Sequence, residues 1–257
     1  MARRLVMAAT AAMALLAAAA APPAPAQAQA QTETPALEPD AMLALNRLGY
    51  SLRQLKQFEV TSQARLERAF ENSPPLEFRQ DTTFLVEMPG RIAVDIATDS
   101  THRKVFYDGK QITVVGLMAA KYINLPMEGT VSEVLRRAYD ELGIDFPLQD
   151  LFRWGSETAV TDQPSAGFRV GDSMVRGQKV VQYAYQMPEV SFQIWMTEGD
   201  RPLPLRMVIT EREQPGLRYA ADLLWNLTPK IDPASFVYRP RPEDTAVAIE
   251  GVTTAIR

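Results

Sequence analysis

The stretch Phe58-Glu59-Val60-Thr61-Ser62-Gln63-Ala64-Arg65-Leu66-Glu67-Arg68-Ala69-Phe70-Glu71 decides the fold class. Read with a period of two, it separates into two faces. One parity carries Phe58, Val60, Ser62, Ala64, Leu66, Arg68 and Phe70, five of seven apolar; the other has a single apolar member, Ala69. Successive side chains of a strand point to opposite faces, so this is a long strand with one face buried and the other wet. Asn72-Ser73-Pro74-Pro75 turns the chain. Leu76 to Met88 repeats the pattern, with Leu76, Phe78, Phe84, Val86 and Met88 on one face. Pro89-Gly90 turns it again into Arg91–Ile96, where Ile92, Val94 and Ile96 alternate with Arg91, Ala93 and Asp95.

Working outward, shorter strands are predicted at 102–107, 110–115 and 121–125. Asp108-Gly109 marks a tight hairpin between the first two, because a type I′ turn needs positive φ at both central positions. Strand periodicity resumes near Phe168 and runs to Leu227. It breaks at Val175-Arg176-Gly177, Met187-Pro188-Glu189, Glu198-Gly199-Asp200 and Gln214-Pro215-Gly216. Two helices interrupt the strands. Met42, Leu45, Leu48, Leu52 and Leu55 form a helical stripe, with Asp40 as candidate cap and an end near Lys56. Thr130-Val131-Ser132-Glu133 is a capping box opening a helix to Leu142, which Gly143 stops. A short third helix is expected over 147–153, started by Pro147. Leu45, Leu52, Leu135 and Leu142 are expected to be buried where the two longer helices rest on the concave face of the sheet.

The count is about eleven strands without an internal linker, and a sheet of that size must curl to hide its apolar face. The fold class is therefore mainly β: a single curved antiparallel sheet forming an unclosed β-barrel, with helices covering one mouth. The barrel domain is expected over 39–240, with a patternless tail over 241–257.

Arg3 and Arg4 precede an uncharged run from Leu5 to Ala21, followed by small-residue sites such as Ala26-Gln27-Ala28. This order reads as a secretory signal peptide over 1–28, with a flexible lead-in over 29–38. The chain carries 27 basic against 31 acidic residues and no cysteine. Without Arg3 and Arg4 it is more acidic still, which argues against nucleic acid and anionic surfaces as partners. The absence of cysteine excludes disulfides, thiolate catalysis, Cys-based metal sites and a lipid-modified cysteine. A periplasmic protein that is not membrane-embedded is expected.

Catalytic motifs are missing: there is no G-x-G-x-x-G, P-loop, H-E-x-x-H or G-x-S-x-G. His102, the single histidine, stands beside the polar turn Thr98-Asp99-Ser100 and reads as an exposed turn residue. No catalytic residue, metal site or cofactor is assigned, and an enzyme is not expected. The apolar parity instead suggests a cavity of a few hundred Å³, the usual scale of small-molecule sites. Its candidate lining is Phe58, Val60, Phe78, Phe84, Val94, Tyr183, Phe192, Met207, Tyr219 and Trp225. Two residues break the pattern. Arg68 lies on the apolar parity, either to hold a ligand head group or a lid carbonyl, or to snorkel out at a strand end. Trp195 lies on the polar parity, either covered by a loop or the lead-in, or exposed at a partner surface.

Several local patterns resemble a known group. The hairpin Phe106-Tyr107-Asp108-Gly109-Lys110-Gln111-Ile112 is similar to one in the periplasmic lipoprotein carriers of the LolA and LolB superfamily. Asp145 to Gly155, Phe192-Gln193-Ile194-Trp195, Gly199 to Leu205 and Asp232-Pro233-Ala234-Ser235-Phe236-Val237-Tyr238 resemble segments of that superfamily and of a predicted periplasmic family, domain of unknown function 2092. The resemblance spans roughly residues 40–240. It implies an unclosed barrel with a helical lid over an apolar cavity that in the carriers shelters acyl chains. The carriers place an arginine before the proline ending the second strand, where it fastens the lid; here Met88 precedes Pro89. Two functions follow as expectations: a soluble carrier for a hydrophobic or acylated ligand, such as a lipid or a lipoprotein's acyl chains, or an envelope sensor that binds and regulates a partner protein.

Overall fold

The computed structural model describes residues 36–70, 73–144, 146–154, 164–212 and 217–248. The segment expected to be a signal peptide, 1–28, and most of the expected lead-in, 29–38, fall outside them. In chain order the elements are α1 (Pro39–Gln54), β1 (Gln57–Arg68), β2 (Leu76–Glu87), β3 (Arg91–Thr98), β4 (His102–Tyr107), β5 (Gln111–Gly116), β6 (Lys121–Pro126), α2 (Val131–Leu142), α3 (Gln149–Trp154), β7 (Ala166–Val175), β8 (Gln178–Gln186), β9 (Val190–Thr197), β10 (Pro204–Glu211), β11 (Arg218–Asn226) and β12 (Thr245–Ala246).

Among the described residues twelve strands form one sheet, in the order β12-β6-β5-β4-β3-β2-β1-β11-β10-β9-β8-β7. It is not closed into a barrel. Two meanders, β1–β6 and β7–β11, are joined where β1 pairs antiparallel with β11, Ala64 opposite Ala221. The register keeps the parity read from sequence on one face throughout. Across β1, β2, β3 and β4 the inward row at mid-sheet is Val60, Phe84, Val94 and Val105, all buried in one continuous core.

Both longer helices pack on that face. Leu45, Leu48, Leu52, Val134, Leu135 and Ala138 join the same core; Leu142, in the last turn, is only half-buried. The capping box of α2 is formed, with Glu133 N–H donating to the Thr130 hydroxyl and Thr130 N–H to the Glu133 carboxylate. Gly143 ends the helix in the left-handed region at φ 65°, where a Cβ would be strained.

Some boundaries differ from the sequence reading. The cap of α1 is Glu38 rather than Asp40, because Pro39 occupies the first turn, where its missing N–H costs nothing. β1 stops at Arg68, short of Phe70, because its partner β2 begins only at Leu76. α3 begins at Gln149, since Leu148 takes φ 60° and interrupts a helical start at Pro147. Residues 239–248 are not patternless. Thr245 and Ala246 pair parallel with Lys121 and Tyr122, and the Tyr238 ring packs against Phe106 and Tyr122 at 5.5 and 5.6 Å. This aromatic cluster on the outer face gives the C-terminal segment a place to dock. Among the described residues no helix is long and apolar enough to cross a membrane.

Candidate functional site

The inward face has two ends with different fates. At one end, α3 closes the sheet. Phe152 sits between Phe58 and Phe84, ring centroids at 6.2 and 5.2 Å, and Phe58 meets Trp225 at 5.6 Å. The Trp225 indole N–H donates to the Pro204 carbonyl at 2.7 Å, which satisfies its one donor inside the core. Leu52, Leu151 and Met88 complete this packing, and the void left among them is only about 10 Å³, at most the room of one water. Met88, before Pro89, is thus an apolar contact of α3 in this packing.

At the other end the sheet stays open. The cleft there has a volume of about 1070 Å³. Its walls come from the end of β1, the start of β2, the β3–β4 turn, the β5–β6 connection and the β10–β11 ends, and Phe146, Pro147 and Leu148 border it from the segment between α2 and α3. Phe70, Phe78 and Met118 are 48, 36 and 73% exposed within it. Phe70 and Phe78 meet edge to face at 6.3 Å. Tyr219 and Ser62 share a hydrogen bond at 3.2 Å deeper along the same face.

Of the ten residues proposed from sequence, Phe78 and Tyr219 line this cleft. Phe58, Val60 and Trp225 border the small void under α3. Phe84, Val94, Phe192 and Met207 are buried in the packed core, with Tyr183 half-buried against it. Tyr183 stacks on Tyr185, and Tyr185 on Phe192. The Tyr185 hydroxyl donates to the Ala41 carbonyl at 2.8 Å, tying α1 to β8. Its burial, with a smaller push from Tyr183, moves its pKa well above the ordinary tyrosine value.

Charged residues absent from the sequence-derived set enter the cleft instead. Arg68, Arg103 and Lys121 share the inward parity of Leu66, Val105 and Ile123 and line it. Parity could have found Arg103 and Lys121, but a charge at a strand start beside a turn reads as a solvated end. His102 lies on the outer parity, its Nε2 2.6 Å from Asp95 Oδ1, with Lys104 Nζ 2.8 Å from the other oxygen. Partial burial raises the Asp95 pKa, but the hydrogen bonds and charges of Lys104 and His102 outweigh it and hold the carboxyl below its ordinary value. Trp195 is half-buried. Its cross-strand neighbour Arg206 lays a guanidinium 5.5 Å from the ring centroid, held there by Asp222 at 2.6 Å.

The model of a family described as "Predicted periplasmic protein (DUF2092)" matches residues 41–250. The chain belongs to this family. It is the family whose segments the local motifs resembled. No curated protein matches the chain. Among solved structures it is similar to LprF from Mycobacterium bovis, with 14% identity, 77% of this chain and 98% of that one covered, and a TM-score of 0.47. It is also similar to a LolA superfamily protein from Nitrosomonas europaea, with 11% identity, 77 and 97% coverage and a TM-score of 0.36. The MucA/MucB complex of Pseudomonas aeruginosa is matched at 18% identity, 74% of this chain and 59% of that one, with a TM-score of 0.38.

Proposed function

We propose that this member of the family is a soluble periplasmic binding or carrier protein, exported by its N-terminal signal peptide, that takes a hydrophobic or acylated ligand into the open cleft without catalysis. The observation that carries the reading is the cleft itself: about 1070 Å³ of space on the inward face of the sheet, with Phe70, Phe78 and Met118 left unburied beside it. Large apolar side chains held against unfilled space are the mark of a surface that a ligand covers. The closed end supplies the stability that lets the other end stay open.

The test is native mass spectrometry of the protein isolated from its own periplasm. A co-purifying mass of lipid size, lost in a Phe78→Arg variant that folds normally, is the expected result. A ligand-free mass, with no uptake of an environment-sensitive apolar fluorophore by the parent protein, would overturn the reading.

One observation favours a second reading, a partner-binding module. β7 is the sheet's outer strand, and Ala36–Glu38 pair with it only at Gly167 and Arg169. Beyond them Val170 and Met174 are exposed along an edge that an extended partner segment could join. A stoichiometric protein partner in the same mass spectrum, lost on Val170→Pro, would favour this reading over the carrier.

A further inference from the structure

We infer that the ligand of the open cleft is an anionic phospholipid, its phosphate held by Arg68, Arg103 and Lys121 while its acyl chains cover Phe70, Phe78 and Met118. The inference rests on the binding role proposed above and names the chemistry of the ligand. It starts from charge placement. The chain as a whole is acidic, 31 carboxylates against 27 cations. The charged residues of inward parity along the cleft are nevertheless three cations, Arg68, Arg103 and Lys121, against one carboxylate, Glu211. The other acids at the mouth are engaged: Glu67 with Arg218 at 3.2 Å, and Asp99 accepting from the Arg79 backbone N–H at 2.8 Å.

The register explains how two of the cations reach one spot. Arg103 of β4 and Lys121 of β6 are both paired with Gly116 of β5. Glycine puts no side chain between them, although an added Cβ would meet nothing closer than 3.8 Å. The inward surface of β5 is thus bare where the two cations flank it, two strand spacings of roughly 4.8 Å apart. Arg68 stands across the mouth, exposed. Among the described residues neither Arg68 nor Lys121 makes a side-chain hydrogen bond or ion pair.

Two guanidinium groups and an ammonium around an apolar cleft suit a phosphate, which accepts bidentate arginine contacts. The volume fits a two-chain lipid better than a single fatty chain, since about 1070 Å³ lies at the top of the range of small-molecule sites.

The test uses the mature chain and two lipids with the same pyrene-labelled acyl chain, one with a phosphatidylglycerol head and one with phosphatidylcholine, delivered from vesicles. Phosphatidylglycerol is expected to bind at least tenfold more tightly at low salt, and the advantage should shrink as salt screens the site. In an Arg68→Gln/Lys121→Gln variant the preference should vanish, phosphatidylglycerol losing far more affinity than phosphatidylcholine, while the far-UV circular dichroism and thermal midpoint stay those of the parent, which separates lost charge from lost fold. Pyrene-labelled fatty acid serves as a third arm. Equal affinity for the two phospholipids, or fatty acid preferred over phosphatidylglycerol, overturns the inference and leaves the carrier reading standing. Uptake of none of the three overturns both.

Discussion

Replacing Phe152 by alanine tests whether the closed end is packed core or a lid at rest over a ligand chamber. The Phe152 ring is almost fully buried and contacts Phe58 and Phe84, and the adjoining void is only about 10 Å³. Phe→Ala in such a site costs about 3–5 kcal/mol, the lost transfer energy plus the cavity left behind. Two aromatic contacts, each worth roughly 0.5–1.5 kcal/mol beyond area burial, place this position in the upper half of that range, about 4 kcal/mol. With a urea slope of about 2–3 kcal/mol per molar, the unfolding midpoint should fall by roughly 1.3–2 M. Urea titration followed by tryptophan fluorescence reads this directly, because Trp225 lies against Phe58. A loss below about 1 kcal/mol would refute the reasoning: α3 would then spend much of its time off the sheet, and opening it would cost little.

Val94→Trp should also destabilise, by roughly 1–3 kcal/mol, because Val94 is flanked by Phe84 and Val105 in a filled row; an unchanged thermal midpoint would reveal space the structure does not have there. Thr130→Ala removes the capping box of α2 and should cost about 1 kcal/mol, seen as faster amide exchange at Glu133 than in the parent. Asp95 carries the pH prediction. Its folded pKa lies below the unfolded one, so the folded state binds fewer protons there, and the stability it adds is present above about pH 4 and lost as pH falls further. Asp95→Asn should therefore lose less stability than the parent between about pH 4 and pH 2; equal acid slopes would mean the contacts of Asp95 with His102 and Lys104 do not persist in solution.

Face was legible in the sequence; depth was not. Phe78 and Phe84 share a strand and a parity, yet one is 36% exposed at the open mouth and the other 1% exposed beneath Phe152. Period-two alternation reports which side of a sheet a residue faces, and nothing in it says where along the strand a helix lands. That landing is set by α3, six residues too short for a helical stripe of their own. The same gap hid the cover of Trp195, since Arg206 reaches it only through the β9–β10 pairing. It also hid the flanking cations, which become neighbours only through Gly116. The dock for Tyr238 needs Phe106 and Tyr122, two strands that parity places on the outer face without saying what covers them.

The division into a filled and an open end has an energetic consequence. Fully burying a large apolar side chain contributes about 1.5–3 kcal/mol, so leaving Phe70, Phe78 and Met118 partly in water forgoes several kcal/mol that a closed barrel would have gained. The extensive core under α1, α2 and α3 offsets that loss. A ligand that covers the three side chains recovers it only in the bound state, and by mass action that surplus appears as added stability of the folded chain. The open end thus reports its own occupancy: a fitting ligand raises the thermal midpoint in proportion to the logarithm of its concentration, and Phe78→Arg should abolish the rise, measured against the variant's own ligand-free midpoint because Phe78 is only 36% exposed and its loss also costs contact with Phe70.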